Sequence, residues 1–381
     1  MSRERLGRIG DVLGRDIDAM LVPGAVTLVA RRGRIVHFKA HGRRDPTEDA
    51  SMALDSIFRI YSMTKPIVSV AAMMLIEEGR LSLGDPLSRF VPEFASARVH
   101  VEPGGSTELV PASAPITVHD LFRHTSGLTY DWMDDGPVQR AYADVQAGGR
   151  QRSNAEQAAV IAALPLVSHP GRAWNYSRST DVLGRVIEVV TGSPLGRVLR
   201  ERVFEPLGML ETGFRVPPDY GGRLAEAFAT DPETGEPVDL LDVTKDVAME
   251  NGGGGLASTA PDYARFLHML ISGGQLDGTR LLSPKTLAYM TADHLGPEIR
   301  IMPGILPDGY GFGLGFAVRR QDGIAPFPGS AGDYYWEGLG GTSFWVDPRE
   351  ELYGLVMVQA PGRREHYRRT MRQLVYGSLL D

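Results

Sequence analysis

Cysteine is absent from the 381 residues. That excludes disulfides, thiolate nucleophiles, Cys-ligated zinc and iron–sulfur clusters together. Lysine is scarce: Lys39, Lys65, Lys245 and Lys285 stand beside 36 arginines. Positive charge is not in excess, and the net charge of −7 argues against a nucleic-acid binder, which needs a concentrated positive field. No apolar run approaches the roughly 18 residues of a membrane span. The first twenty residues, MSRERLGRIGDVLGRDIDAM, are punctuated by charge and lack the apolar core of a secretion signal. A cytoplasmic protein with no membrane or nucleic-acid partner is expected.

What is present is an ordinary globular composition, 43% hydrophobic and 23% charged, enough for one large domain or two. Leu6, Ile9, Leu13, Ile17 and Met20 follow helical spacing. Residues 25–31 and 34–41 read as strands around an Arg32-Gly33 turn, with a short extended run at 56–61. Residues 62–78 are apolar all round and predict a buried helix stopping at Gly79. Thr117 and Asp120 form a capping-box signal for 118–124. Residues 155–164, 179–191 and 260–272 are helical by pattern. Strand patterns return at 311–319, 341–347 and 352–359, and 363–380 closes as a helix. The Gly/Pro-rich stretches 102–115, 216–222 and 301–309 read as surface loops. The basic run Arg363, Arg364, Arg368, Arg369 and Arg372 reads as a solvated helix face. The order predicts an α+β fold: residues 1–80 and 295–381 form an antiparallel sheet flanked by the terminal helices. Residues 81–294 form an inserted, mostly helical domain, with the site in the cleft between the two.

Ser62-Met63-Thr64-Lys65 is the first chemical candidate. Residues three apart on a helix share a face, with Cβ atoms about 5–6 Å apart, so the amine can reach the hydroxyl. A serine needs a base, and a lysine is one only when neutral. Burial and the positive end of a helix dipole both push it that way. With 22 serines in the chain the bare motif is weak, and Ser62 is equally read as an N-cap. An idle lysine in an apolar helix is costly, however. Tyr176, before the helix at 179–191, either relays protons or packs under the helix start. The Trp336–Thr342 glycine-rich segment either allows close backbone approach to a ligand or is simply a tight turn. A backbone N–H there could complete an oxyanion hole with that of Ser62.

The ordered set Ser62–Pro66, His124-Thr125-Ser126-Gly127-Leu128, Tyr176-Ser177, Gly252–Gly255 with Leu256-Ala257-Ser258-Thr259, and Trp336-Glu337-Gly338 resembles the serine β-lactamase-like superfamily. That superfamily holds class C β-lactamases and penicillin-binding proteins, and within it the pattern is most similar to family VIII carboxylesterases. The likeness spans about residues 20–360. It implies Ser62 as acyl-forming nucleophile, Lys65 as base or proton shuttle, and Tyr176 as the phenol sharing the proton work. It further implies the N–H groups of Ser62 and Leu339 as oxyanion hole, and Trp336, Gly338 and Tyr130 as substrate-binding residues. Two positions depart from the β-lactamase pattern: Arg178 stands where an amide-binding Asn is usual, and Trp336 where a Lys-Thr-Gly lysine is usual. An aromatic wall suits an uncharged acyl or alcohol group.

The expectation is therefore a serine esterase acting on small, short-chain esters without metal or cofactor. The alternatives are an acyltransferase using the same acyl-enzyme, a class C-like β-lactamase or D-amino-acid peptidase, and a non-enzymatic assembly protein. No Gly-x-Ser-x-Gly, phosphate loop, Gly-x-Gly-x-x-Gly or His-Glu-x-x-His occurs, and His119 and His124 do not share a helical face. The His124–Gly127 segment reads as a helix end closed by Gly127, and Gly252–Gly255 as a flexible loop near the cleft. The natural ester and the oligomeric state are not legible.

Overall fold

The computed structural model describes residues 1–102 and 107–380. An eight-stranded antiparallel sheet runs in the order Tyr310–Phe312, Ala317–Arg319, Tyr334–Glu337, Ser343–Asp347, Leu352–Val358, Gly24–Arg31, Arg34–Asp45, Ala50–Ser51. Gly24–Arg31 therefore pairs with the late strand Leu352–Val358, Ala25 facing Val358, as well as with its hairpin partner. The hairpin turns at Arg32 and Gly33, both with positive φ. Leu352–Val358 and Gly24–Arg31 are buried at every position, which requires cover on both faces.

Successive residues of a strand point to opposite faces. Phe344 meets Tyr263 of the helix Ala260–Ile271, while its neighbour Trp345 meets Arg372 of the helix Arg364–Tyr376. The helix Arg3–Asp18 joins the second face: Leu6, Ile9 and Leu13 are buried, and Asp16 accepts from the Tyr367 hydroxyl at 2.9 Å. Ala260–Ile271 thus lies on the sheet although it precedes residue 295. Beyond it sits the helix Thr64–Glu77, tied to it by the Tyr263 hydroxyl donating to the Met63 carbonyl at 3.0 Å. Thr64–Glu77 packs in turn on Ser179–Thr191, which ends at left-handed Gly192.

Four expectations need correction. The run 311–319 is a hairpin, broken at Gly313–Gly315 because Gly315 has φ 98° and abuts the Ser69 side chain. Tyr334–Glu337 is a strand that the pattern did not announce. The 102–115 stretch is not all loop: Glu108–Pro111 pairs antiparallel with Arg98–Val101 just before it, while 103–106 lies outside the described residues; 216–222 stays at the surface as expected, wound as the 3-10 turn Pro218–Arg223. The C-terminal basic run is only half solvated. Arg363, Arg368 and Arg372 are buried, because each finds a carboxylate: Glu233 with Asp16, Glu337, and Asp333 respectively. Asp333 is wholly buried between Arg319 at 2.7 Å and Arg372 at 3.1 Å and accepts from the Tyr310 hydroxyl at 2.6 Å.

Candidate active site

Ser62 does not cap a helix. Tyr61–Met63 forms a 3-10 turn, the α-helix begins at Thr64, and neither start carries a side-chain cap bond. The residue before the serine, Tyr61, has φ 42°, a strained backbone for a non-glycine side chain. It is pinned by its hydroxyl, which accepts from the Leu241 N–H at 2.8 Å. Ser62 is half-buried at the front of a helix whose first residues are fully buried.

One helical turn on, Lys65 is 1% exposed. Its Nζ lies 3.2 Å from Ser62 Oγ, 2.9 Å from the Tyr130 hydroxyl and 2.6 Å from the Gly253 carbonyl oxygen. It also stands 4.5 Å over the Tyr176 ring. Burial holds the amine down to about 7, with the Arg178 guanidinium acting in the same sense and Asp181 opposing. Near neutrality a substantial share of Lys65 is therefore uncharged.

The segment 124–130 and the strand Ala173–Trp174 bring in the two tyrosines. His124 (φ 56°) and Gly127 (φ 83°) turn the chain after the short helix Val118–Phe122. Asn175 donates from its backbone to His124 O at 2.9 Å and from its side chain to Leu128 O at 2.8 Å, locking the segments together. The buried Tyr176 hydroxyl has no completed hydrogen bond, and neither has the buried Trp336 indole N–H beside it. Burial raises the Tyr176 phenol, and the nearby Ser62 hydroxyl and Trp336 indole oppose that rise. Burial likewise raises Tyr130 and depresses His124, whose Nδ1 is 3.2 Å from Ser177 Oγ, so His124 is a neutral packing partner of Tyr176.

The Trp336–Thr342 segment closes the site. A Cβ on Gly338 would lie 2.5 Å from the Ile60 carbonyl, and one on Gly340 2.8 Å from the Tyr61 ring. These glycines let the turn press against the two residues preceding Ser62. Leu339, at its tip, is 48% exposed, and no backbone partner occupies its N–H among the described residues. Trp336 is buried against Tyr176 and Phe312, with ring centres 5.2 Å away in both cases.

The structure thus gathers Ser62, Lys65, Tyr130, Tyr176, Trp336, Gly338 and Leu339 around one point. Tyr130, expected as a substrate-binding residue, also accepts a hydrogen bond from the lysine amine through its hydroxyl. Gly252–Gly255 is not a loose loop: Gly252, Gly253 and Gly255 are buried, and Gly253 supplies the nearest oxygen to Lys65. Two residues, Trp132 and Asp181, escaped the sequence reading, and Arg178 entered it only as a departure from the β-lactamase pattern. Trp132, 50% exposed, stacks on Tyr130 at 5.0 Å. Asp181 accepts from the Gly253 N–H at 2.8 Å. Arg178 is buried, bound to Asp131 at 3.0 Å and Asp181 at 3.5 Å. The glycine cluster at 252–255 was the usable signal for Asp181, and the departure from the family pattern the one for Arg178. A cavity of about 670 Å³ lined by Asn154, Arg185, Glu188 and Glu250 contains none of the site residues. Among the described residues no three His, Asp or Glu side chains gather to hold a metal ion, and no helix is long and apolar enough to cross a membrane.

The Beta-lactamase family model matches residues 14–377. Protein Rv1367c of Mycobacterium tuberculosis is 37% identical over 352 residues, covering 90% of this chain and 87% of its own. Esterase EstB of Burkholderia gladioli is 32% identical over 366 residues, covering 89% and 86%. Among solved structures, EstCE1, described as a hydrolase with promiscuous acyltransferase activity, is 28% identical with a TM-score of 0.80, covering 98% of this chain and 99% of that one. With a serine and a buried lysine at hydrogen-bond distance inside this fold, the chain belongs to the β-lactamase family, in its serine-hydrolase form with esterases among its relatives.

Proposed function

We propose that the protein is a cytoplasmic carboxylic-ester hydrolase of the family VIII type, acting on short-chain esters through an acyl-enzyme on Ser62. The observation that carries this reading is the Lys65 amine, fully buried, held down to about 7 and 3.2 Å from Ser62 Oγ. Neutral Lys65 takes the Ser62 proton as Oγ attacks the ester carbonyl carbon. The Ser62 and Leu339 N–H groups receive the developing oxyanion. The carbon–oxygen bond to the alcohol then breaks, and the alcohol leaves with a proton passed from Lys65 through Tyr176. Water repeats the attack and releases the acid. In this reading the site lies where residues 1–80 and 295–381 meet 81–294. Ser62 and Lys65 come from the first stretch, Trp336 and Leu339 from the second, and Tyr130, Tyr176 and Gly253 from the third.

Esters are favoured over β-lactams because the cations near Ser62 are committed. Arg178 is bound to two aspartates, and Lys65 is buried and partly neutral, so neither is free to hold a substrate carboxylate. The test is intact mass after exposure to p-nitrophenyl butyrate, a cephalosporin and a fluorophosphonate. One acyl or phosphonyl adduct is expected, lost in Ser62→Ala. Unchanged labelling in that variant overturns the assignment. Transfer of the acyl group to an added alcohol, read in the same assay by its ester product, separates acyltransferase from hydrolase.

A further inference from the structure

Asp181 is a buried carboxylate that the mechanism above leaves unused. Its Oδ1 accepts from the Gly253 N–H at 2.8 Å, while the carbonyl of that same glycine accepts from Lys65 Nζ at 2.6 Å. The carboxylate lies so close to Gly253 that a Cβ there would come within 2.7 Å of Oδ1, and a side chain at this position would displace it. Arg178, one helical turn before Asp181, reaches the other carboxylate oxygen at 3.5 Å, lies 4.8 Å over the Tyr130 ring, and is anchored outside by Asp131 at 3.0 Å. The side chains of Asp181 and Arg178 are 1% and 7% exposed, so solvent screens their charges little.

We propose that Asp181 and Arg178 are opposed positioning residues, which hold the Lys65 amine at the nucleophile through the Gly253 backbone and together govern its proton. This rests on the reading of Ser62 and Lys65 given above. Asp181 fixes the carbonyl that the amine donates to, and its charge favours the ammonium. Arg178 limits that charge and opposes the ammonium from the other side. The other groups facing Lys65 are His124, held neutral, and the Tyr130 and Tyr176 phenols, both held protonated by burial. Glu337, beyond Tyr176, is neutralised by Arg368 at 2.7 Å. Asp181 and Arg178 are therefore the two full charges with most influence on the amine.

The chain offers a direct readout. Lys39, Lys245 and Lys285 are exposed, and Lys65 alone is buried. Replacing the three exposed lysines by Arg leaves one lysine, so a sample labelled with ¹³C at lysine Cε gives a single titrating signal. Asp181→Asn keeps an oxygen for the Gly253 N–H but removes the charge. It should move the Lys65 midpoint, and the acidic limb of kcat/KM, to lower pH by on the order of one unit. Arg178→Gln should move both to higher pH. Asp131→Asn, farther out, should move them the same way as Asp181→Asn by a smaller step. Asp181→Ala, which also orphans the Gly253 N–H, should in addition lower kcat at every pH. Unmoved midpoints, or Asp181→Asn and Arg178→Gln shifting in the same direction, overturn the proposal. Opposite shifts in the lysine signal without any ester turnover support it and overturn the esterase reading instead.

Discussion

Lys65 meets its two tyrosines in different ways: its Nζ is 2.9 Å from the hydroxyl of Tyr130 but over the ring face of Tyr176, 4.5 Å from the centre. Removing each hydroxyl therefore asks a different question. Tyr176→Phe keeps the ring under the amine and removes only the oxygen beside Ser62. It should lower kcat about 10²- to 10⁴-fold, the span of lost general acid–base catalysis. Tyr130→Phe removes one hydrogen bond to the lysine and should cost about tenfold. Steady-state kinetics on p-nitrophenyl butyrate decides it. A collapse in Tyr130→Phe beside near-normal Tyr176→Phe would make Tyr130 the proton carrier.

The depressed Lys65 also leaves a mark on stability. Its proton is held at about 7 in the folded chain against an ordinary 10.5. Between those values the unfolded chain binds more protons than the folded one, so stability rises with pH across that window. Urea denaturation at pH 7, 8 and 9 should show the rise in the wild type and a flatter profile in Lys65→Met. Parallel profiles would mean that the amine is charged in the fold.

Gly338→Ala tests the oxyanion turn. Its methyl group would push on the Ile60 carbonyl and the Thr342 hydroxyl and shift the Leu339 N–H away from Ser62. A kcat loss of roughly 10²- to 10³-fold, with the circular dichroism spectrum unchanged, is expected. A variant as active as wild type would remove Leu339 from the proposed hole.

Asp333→Ala strips the shared partner from Arg319 and Arg372, both 1% exposed. Leaving buried guanidinium groups uncompensated costs about 3–5 kcal/mol. The urea midpoint should fall accordingly, and a loss below about 1 kcal/mol would show that water reaches the cluster.

The sequence made some of this legible for local reasons. Ser62 and Lys65 are three apart, Arg32-Gly33 supplies the backbone for a tight hairpin, and Gly192 ends a helix by adopting φ 72°. Trp336 and Leu339 emerged from their place in an ordered family pattern rather than from local spacing. Tyr334–Glu337 was missed because Tyr-Tyr-Trp-Glu does not alternate; three of its four residues are buried, so both of its faces are covered. The link from Asp181 through Gly253 to Lys65 was invisible for another reason: the Asp181–Gly253 contact joins residues 72 apart, and the Gly253–Lys65 contact joins residues 188 apart. The basic C-terminal run misled because its charges are matched by Asp333 and Glu337, which belong to a different element.

The pairing of Gly24–Arg31 with Leu352–Val358 has a consequence for how the chain is made. During synthesis the first hairpin leaves the ribosome with one long apolar edge, Ala25-Val26-Thr27-Leu28-Val29-Ala30, and that edge has no partner until more than 300 further residues have emerged. An unpaired strand of this kind is a template for pairing with other chains. Contacts of such sequence separation also form slowly. A nascent or refolding chain of this protein is thus vulnerable to aggregation at this strand, and holdase binding to residues 24–31 would protect it until Leu352–Val358 arrives.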